Sequence, residues 1–489
     1  MEPFMALPIS LPQHGSRLLL RDLHRQLRAA ITNGRLRPGA RLPSTRALAA
    51  SCGVSRNTVV AAYELLLSEG YVAARSGSGT RVADSLPLAP RVKAAAHPPG
   101  NDRRLNRVWR ERALAPRASQ PDVLPYSFQI GIPDPRSFPA EVWRRLSGRV
   151  LRSIRLQSPL AVDAQGQAPL RREIARYVSF TRAVSCEADD VVVTAGAQQA
   201  FDLLARVLVT PGRTTVALED PGYPPLRGSF LAAGAKMSAV PVDAEGLAVD
   251  LLPSQARVIC VTPSHQFPLG SVMSARRRGE LLDFAQAHRA VIIEDDYDGE
   301  FRFGDRPLDA LQTLDRAACV FYVGTFSKCL LPGIRLAYIV APPWARPALV
   351  AAKALADGHC CTFIQDTLAA LLAEGHLARH VRKMQRIYAG RRERLLDCLK
   401  SDCAEWLDPI PSAAGLHIAA VSKKVVDDAL LVAEARKLGV RVHALGAHYV
   451  RRRPVKRGLL FGYGAIEENA IAEGLTRLRR VLRLVNTRL

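Results

Sequence analysis

From about residue 126 onward, short apolar runs alternate with stretches of helical period, and no other feature constrains the fold as tightly. Val191-Val-Val-Thr194 leads into a helical stretch that includes Gln198–Val209. Thr214-Thr-Val-Ala-Leu218, Arg257-Val-Ile-Cys-Val-Thr262, Val291-Ile-Ile-Glu-Asp295 and Cys319-Val-Phe-Tyr-Val323 come next, separated by further helical segments. Short apolar strands alternating with helices predict a parallel, helix-covered sheet. Such sheets receive ligands at the carboxyl ends of their strands, and that is where the polar clusters fall.

Thr194-Ala-Gly-Ala-Gln-Gln-Ala200 is a small-residue turn opening a helix, an arrangement that aims backbone N–H groups and a dipole at an anion. Glu219-Asp-Pro-Gly-Tyr223 delivers an aromatic ring, and Val261-Thr-Pro-Ser-His-Gln-Phe-Pro268 places polar side chains at another strand end. Ile293-Glu-Asp-Asp-Tyr297 sets an acid and a phenol two residues apart, and Gly324-Thr-Phe-Ser-Lys328 precedes Leu331-Pro-Gly-Ile-Arg335. Each piece alone is an ordinary turn or a surface lysine. As an ordered set they supply one chemistry. A lysine amine forms a Schiff base with an aldehyde cofactor, and a carboxylate keeps a pyridine nitrogen protonated so that the ring accepts electrons. A phenol meets the ring hydroxyl, an aromatic covers the ring face, and hydroxyls, amides and an arginine hold a phosphate.

The N-terminal part is built differently. Leu20, Leu23, Leu27, Ala30 and Ile31 recur at helical spacing until Asn33-Gly34 stops them. Ser44 is placed to cap a second helix with Leu48, Ala49 and Val54 on its inner face; Gly53 sits in a break. Ser55 caps a third helix through Val59, Tyr63, Leu66 and Leu67, closed by Gly70. This is a helix-turn-helix layout, with Arg56, Asn57 and Thr58 at the helix end that meets base edges and phosphates. Tyr71–Arg75 and Thr80–Val82 flank Ser76-Gly-Ser-Gly79 and read as a hairpin wing, with Arg75 and Arg81 bracketing its tip.

Charge agrees with this reading. The chain of 489 residues carries a formal +23, and residues 1–124 hold 19 basic against 8 acidic side chains. Within 1–82 every basic residue is Arg, the side chain suited to paired contacts with phosphates and guanine edges. A polyanionic partner is expected, nucleic acid ahead of an anionic membrane surface. There is no 18-residue apolar run, so no membrane span is predicted. Nine cysteines without a CxxC pair, and no signal-peptide pattern, predict reduced thiols in the cytoplasm. Between the two parts, Pro87, Pro90, Pro98, Pro99, Pro116 and Pro121 interrupt alanine and arginine over 83–125, which reads as a flexible linker.

The first part resembles the winged helix-turn-helix domain of the GntR family, through Leu42-Pro-Ser-Thr-Arg46, Gly53-Val-Ser-Arg-Asn-Thr58, Glu69-Gly70 and Gly77-Ser-Gly-Thr80. That resemblance implies a DNA-binding set of Arg41, Ser44, Thr45, Arg46, Ser55, Arg56, Asn57 and Thr58, with Gly79 at the wing. The strand-end clusters look like those of fold-type I aminotransferases, specifically the copy fused behind a GntR-type domain in the MocR/GabR regulators. The two resemblances together imply an α/β chain: winged helix 1–82, linker 83–125, and an aminotransferase class I/II-like domain 126–489 with a smaller α+β C-terminal subdomain. They further imply pyridoxal 5′-phosphate as cofactor, in a Schiff base with Lys328, and no metal. Asp295 would pair with the pyridine nitrogen, Tyr297 would meet the ring hydroxyl and Tyr223 would stack on the ring. Ala197, Gln198, Thr325, Ser327 and Arg335 would hold the phosphate, with His265 near the ring.

Two positions depart from the transaminase pattern. The arginine that grips a substrate α-carboxylate has no counterpart in Leu459-Leu-Phe-Gly-Tyr463. The tyrosine that reaches a neighbouring subunit's phosphate is replaced by Ala161 in Ala161-Val-Asp-Ala-Gln-Gly166. Arg227 or the run Arg451-Arg-Arg453 could substitute for the missing grip. The expectation is a homodimeric regulator that binds operator DNA and senses an amino compound or pyridoxal phosphate itself, with at most weak or half-reaction transamination. The alternatives are a working aminotransferase carrying a DNA-binding head, and a DNA-binding protein whose second domain is only a dimerisation scaffold.

Overall fold

The computed structural model describes residues 9, 19–75, 79–84, 104, 106, 108–109, 124–153, 162–303, 309–424, 427–450 and 456–486. The chain divides into two compact units, Met1–Leu105 and Asn106–Leu489. The tip of the expected wing at 76–78, most of the expected linker, Ala161 and Arg451-Arg-Arg453 lie outside the described residues.

The first unit holds α1 (Leu19–Thr32), α2 (Thr45–Cys52) and α3 (Arg56–Ser68), then an antiparallel hairpin of β1 (Val72–Arg75) and β2 (Gly79–Val82). α1 buries Leu23, Leu27, Ala30 and Ile31, a single stripe made by three- and four-residue spacing. Ser44 Oγ accepts the Ala47 N–H at 3.2 Å and Ser55 Oγ accepts the Thr58 N–H at 3.1 Å, so both later helices begin on a serine cap. The core gathers Leu48, Val59, Ala62, Leu66, Val72 and Val82; Val54, expected on the inner face, is half-buried.

The second unit opens with β3 (Tyr126–Ser127), α4 (Ala140–Ser153) and α5 (Ala168–Arg182). Its main sheet then builds through β4 (Val191–Thr194), α6 (Ala197–Leu208), β5 (Thr215–Asp220), α7 (Pro224–Ala232), β6 (Lys236–Asp243) and β7 (Gly246–Leu247). β8 (Ala256–Val261), α8 (Ala275–His288), β9 (Val291–Asp296), β10 (Val320–Thr325) and β11 (Ala337–Val340) complete it. Helices α9 (Arg346–Asp357), α10 (Thr362–Ala373) and α11 (His376–Asp402) lead to a smaller part. That part holds β12 (Leu407–Pro409), β13 (His417–Ser422), α12 (Asp428–Lys437), β14 (Val440–Arg441), β15 (His443–Ala444), β16 (Gly458–Gly462) and α13 (Glu468–Asn486).

The strand order of the main sheet is β4-β11-β10-β9-β8-β5-β6-β7. From β10 to β6 neighbours run parallel, while β11 lies antiparallel between β10 and β4. Successive strand residues face opposite layers: Ile292 packs with Leu281 and Ala285 of α8, and Ile293 with Phe201 and Leu204 of α6. Burying a side chain of this size stabilises the fold by roughly 1.5–3 kcal/mol, so the sheet is held from both faces, as its apolar runs require. A second, antiparallel sheet runs β12-β13-β16-β15. All nine cysteines are unpaired. Among the described residues no helix is long and apolar enough to cross a membrane.

Candidate functional site

The carboxyl ends of the parallel strands open on one cavity of about 350 Å³. Its lining includes Ala197 and Gln198 from the start of α6, Tyr223 after β5, and Asp295 and Tyr297 at the end of β9. Thr325, Ser327, Lys328 and Arg335 reach it from the segment that leaves β10 and returns as β11. His265 is not on this wall. It is buried behind Tyr297, whose hydroxyl lies 2.9 Å from His265 Nδ1, and Asp298 holds the same nitrogen at 3.0 Å. Sequence reasoning singled out none of Gly131, Phe267, Asp298, Leu416 or His417, which also line the cavity. Phe267 lies within the Val261–Pro268 segment and Asp298 directly follows Tyr297, whereas Gly131 and His417 come from distant segments that only the folded chain brings in.

Strand alternation sorts the acids of β9. Asp295 faces the cavity, whereas Asp296 faces away and accepts from Arg182 Nε and from the Tyr322 hydroxyl, each at 2.6 Å. Asp295 Oδ1 is buried with no hydrogen-bond partner. Burial, reinforced by Asp296, pushes its carboxyl up to about 8. Burial also lowers the Lys328 amine below the usual lysine range, and its Nζ donates to the Gly131 carbonyl at 2.7 Å. Tyr297 is driven well above the ordinary phenol range, first by burial and then by the charge of Asp298.

At the opposite end, Gly196 precedes α6 with φ +82, and a Cβ there would come within 2.9 Å of the Arg335 guanidinium. Only glycine lets the helix N-terminus and the guanidinium approach one another. Arg335 Nη2 donates to the Ala195 carbonyl at 2.9 Å, and the Ser327 N–H donates to Thr325 Oγ1 at 3.2 Å. Gln198 Nε2 donates to Ser229 Oγ at 2.7 Å. Helix dipole, guanidinium and hydroxyls thus converge on one anion-sized space.

These features suit pyridoxal phosphate. An orphaned buried carboxylate oxygen matches a pyridinium N–H, a desolvated amine matches an aldehyde, and the cradle around Gly196 and Arg335 matches a phosphate. Bound there, the cofactor supplies an electrophilic carbon for amines and a ring that accepts electrons.

In the first unit, Arg41, Ser44, Arg46, Ser55, Arg56 and Asn57 are exposed, and Thr45 and Thr58 are half-buried. Ser44, Thr45 and Arg46 cluster at the start of α2, and Ser55 through Thr58 at the start of α3. The exposed Gly79 lies against the Arg41 guanidinium. None of the ion pairs formed among the described residues uses Arg41, Arg46 or Arg56. Cations left in water at helix starts are available to phosphates.

The fold and site define a fold-type I aminotransferase domain, whose cofactor is pyridoxal phosphate, joined to a winged helix-turn-helix. Residues 157–443 match the family described as aminotransferase class I and II, and residues 19–82 match the bacterial regulatory proteins of the gntR family. The chain is 36% identical to the probable rhizopine catabolism regulatory protein MocR of Rhizobium meliloti, over 94% of this chain and 92% of that protein. It is 33% identical to the pyridoxine biosynthesis transcriptional regulator PdxR of Corynebacterium glutamicum, covering 95% and 96%. The structure of Pyrococcus horikoshii kynurenine aminotransferase in complex with PMP aligns with a TM-score of 0.70 and 27% identity, covering 76% of this chain and 96% of that one. The chain belongs to the MocR-type regulators of the GntR family, in which the DNA-binding head is fused to an aminotransferase class I and II domain.

Proposed function

We propose that this chain is a homodimeric transcriptional regulator acting in the cytoplasm, which binds operator DNA through residues 1–82 and senses an amine, or pyridoxal phosphate itself, through residues 126–489, with 83–125 as tether. The observation that carries the reading is the pairing, in one chain, of exposed arginines at serine-capped helix starts with a strand-end cavity lined by Asp295, Tyr297, Lys328 and Arg335. Lys328 anchors the cofactor, Asp295 takes the pyridine nitrogen and Tyr297 the ring hydroxyl. Tyr223 covers the ring, and Ala197, Gln198, Thr325, Ser327 and Arg335 take the phosphate. His265 acts through Tyr297: held by Asp298, it positions the phenol without touching the ring. Arg41, Arg46, Arg56, Asn57 and Thr58 take phosphates and base edges, the serines fix their helices, and Gly79 brings the wing close.

An effector alters operator binding because it interacts differently with two states of the dimer, the only way a ligand shifts such an equilibrium. The test uses the purified full chain loaded with pyridoxal phosphate. A visible absorbance band that disappears in Lys328→Ala is expected, together with selection of a defined site from a random-sequence DNA pool. Many turnovers with an amino acid and a keto acid at ordinary enzymatic rates would favour the working aminotransferase instead. Absence of the band in the wild type would leave the second unit a scaffold.

A further inference from the structure

The wall facing the phosphate cradle indicates which amines the sensing site takes, an inference that rests on the reading of this domain as a cofactor-holding sensor. That wall is formed by Ile130, Ile132, Phe267, Leu416 and His417. Its one polar ring is already engaged, because His417 Nε2 donates to the Pro268 carbonyl at 3.0 Å. Burial beside His265 also keeps this imidazole neutral, well below the usual histidine range. Among the described residues, the lysine and arginine side chains on the lining are Lys328 and Arg335. The first is the anchor, and the second is committed to the anion cradle at Gly196. Arg227, a candidate substitute for the missing carboxylate grip, is not on the lining.

The cavity instead carries a second carboxylate beyond Asp295, one that meets the cofactor only through His265 and Tyr297. Asp298 lines it with a side chain only 2% exposed, held by the His265 ring on both oxygens at 3.0 and 3.1 Å. Along the described lining, a ligand with an α-carboxylate would strip water from that group against apolar carbon, with no free counter-ion among the described lining residues and beside a like charge. Both effects oppose it. An ammonium gains from the same Asp298, and an apolar body gains from the wall.

We propose that the effector is a primary amine with an apolar body and no carboxylate on the carbon that bears the amine. The amine end points toward Lys328 and the body lies along Ile130, Phe267 and Leu416. Asp298 is a specificity-determining residue that admits ammonium and turns carboxylate away.

The test compares ligands that differ only at that position: phenylalanine, phenylalaninamide and phenethylamine, then leucine and isoamylamine, each titrated by free-base concentration into the cofactor-loaded full chain. Perturbation of the cofactor's visible band and the thermal midpoint are read in parallel. The amide and the decarboxylated amines are expected to act at concentrations at least tenfold below the parent amino acids. Asp298→Asn is expected to narrow that gap, read as the ratio between paired ligands within the variant, whatever its effect on the band itself. Amino acids acting at equal or lower concentrations overturn the proposal, as does a gap in Asp298→Asn unchanged from wild type. If the variant does not fold, the wild-type ranking decides alone. Failure of the sensor reading is recognised separately, since the band would then be missing before any amine is added.

Discussion

Asp295 is held by the fold with an oxygen that nothing in the protein satisfies, and its carboxyl is pushed up to about 8 by burial and then by Asp296. An unfolded aspartate titrates at about 3.9. Between those values the folded, cofactor-free protein binds one more proton at this site than the unfolded chain, so stability falls as pH rises through the window. The slope from one such group is at most about 1.4 kcal/mol per pH unit. Asp295→Asn is therefore expected to flatten the decline of the thermal midpoint between pH 5 and 8 in cofactor-free protein. Glu219, Glu294 and Glu300, each pushed to about 7 by burial, leave a residual slope. An unchanged slope in the variant would contradict a buried, unpaired acid. Gly196→Ala forces φ +82 on a residue with a Cβ and drives that carbon toward the Arg335 guanidinium. A stability loss of about 1–3 kcal/mol is expected, with cofactor affinity weakened at least tenfold in a spectrophotometric titration. The residues at strand ends can be read from the sequence because chemistry and position coincide there, as at Asp295, Tyr297 and Lys328. Asp298 and His417 are not readable in that way. An acid one residue past a recognised pair looks like the rest of its loop, and a histidine on β13 meets the cavity only through tertiary packing.

Ser55 accepts from the Thr58 N–H at 3.1 Å and lies 2.8 Å from the Thr58 hydroxyl, so the start of α3 hangs on one side chain. Removing such a cap costs about 1 kcal/mol, a factor of about five in the open population. Ser55→Ala is expected to raise the rate of limited proteolysis within α3 about fivefold, while cleavage within α6 stays unchanged. Equal rates at α3 would show that the cap does not hold the helix. The helices of this unit are visible in the sequence because serine caps and glycine stops bound a clear apolar stripe. In the second unit the apolar runs mark β4, β5, β8, β9 and β10 well, since strands buried on both faces have little choice of residue. β11 is a different case. Ala337-Tyr-Ile-Val340 is as apolar as its neighbours, yet nothing in its composition announces that it runs antiparallel between β10 and β4. β6 is obscured for another reason: Lys236, Ser238 and Pro241 break its apolar run near the sheet's far edge.

At the scale of the whole chain, an excess of basic charge and a head rich in free arginines make operator binding strongly dependent on salt. Arg56→Ala is expected to weaken operator binding and to lower the slope of log affinity against log salt by about 1 if Arg56 meets a phosphate. A slope that stays the same, with selectivity relaxed at one base, would move Arg56 from backbone to base contact. Fluorescence anisotropy at a series of salt concentrations checks both. The antiparallel β11 has a further consequence. The anion cradle draws Gly196 from the end of β4, Thr325 from the end of β10 and Arg335 from just before β11, and these three strands lie side by side at one edge of the sheet. A phosphate bound there ties the frayable margin of the sheet together like a rivet. Amide exchange should therefore slow on cofactor loading along β4, β11 and β10, and stay as it was along β5 and β6, making one border of the sheet a reporter of occupancy.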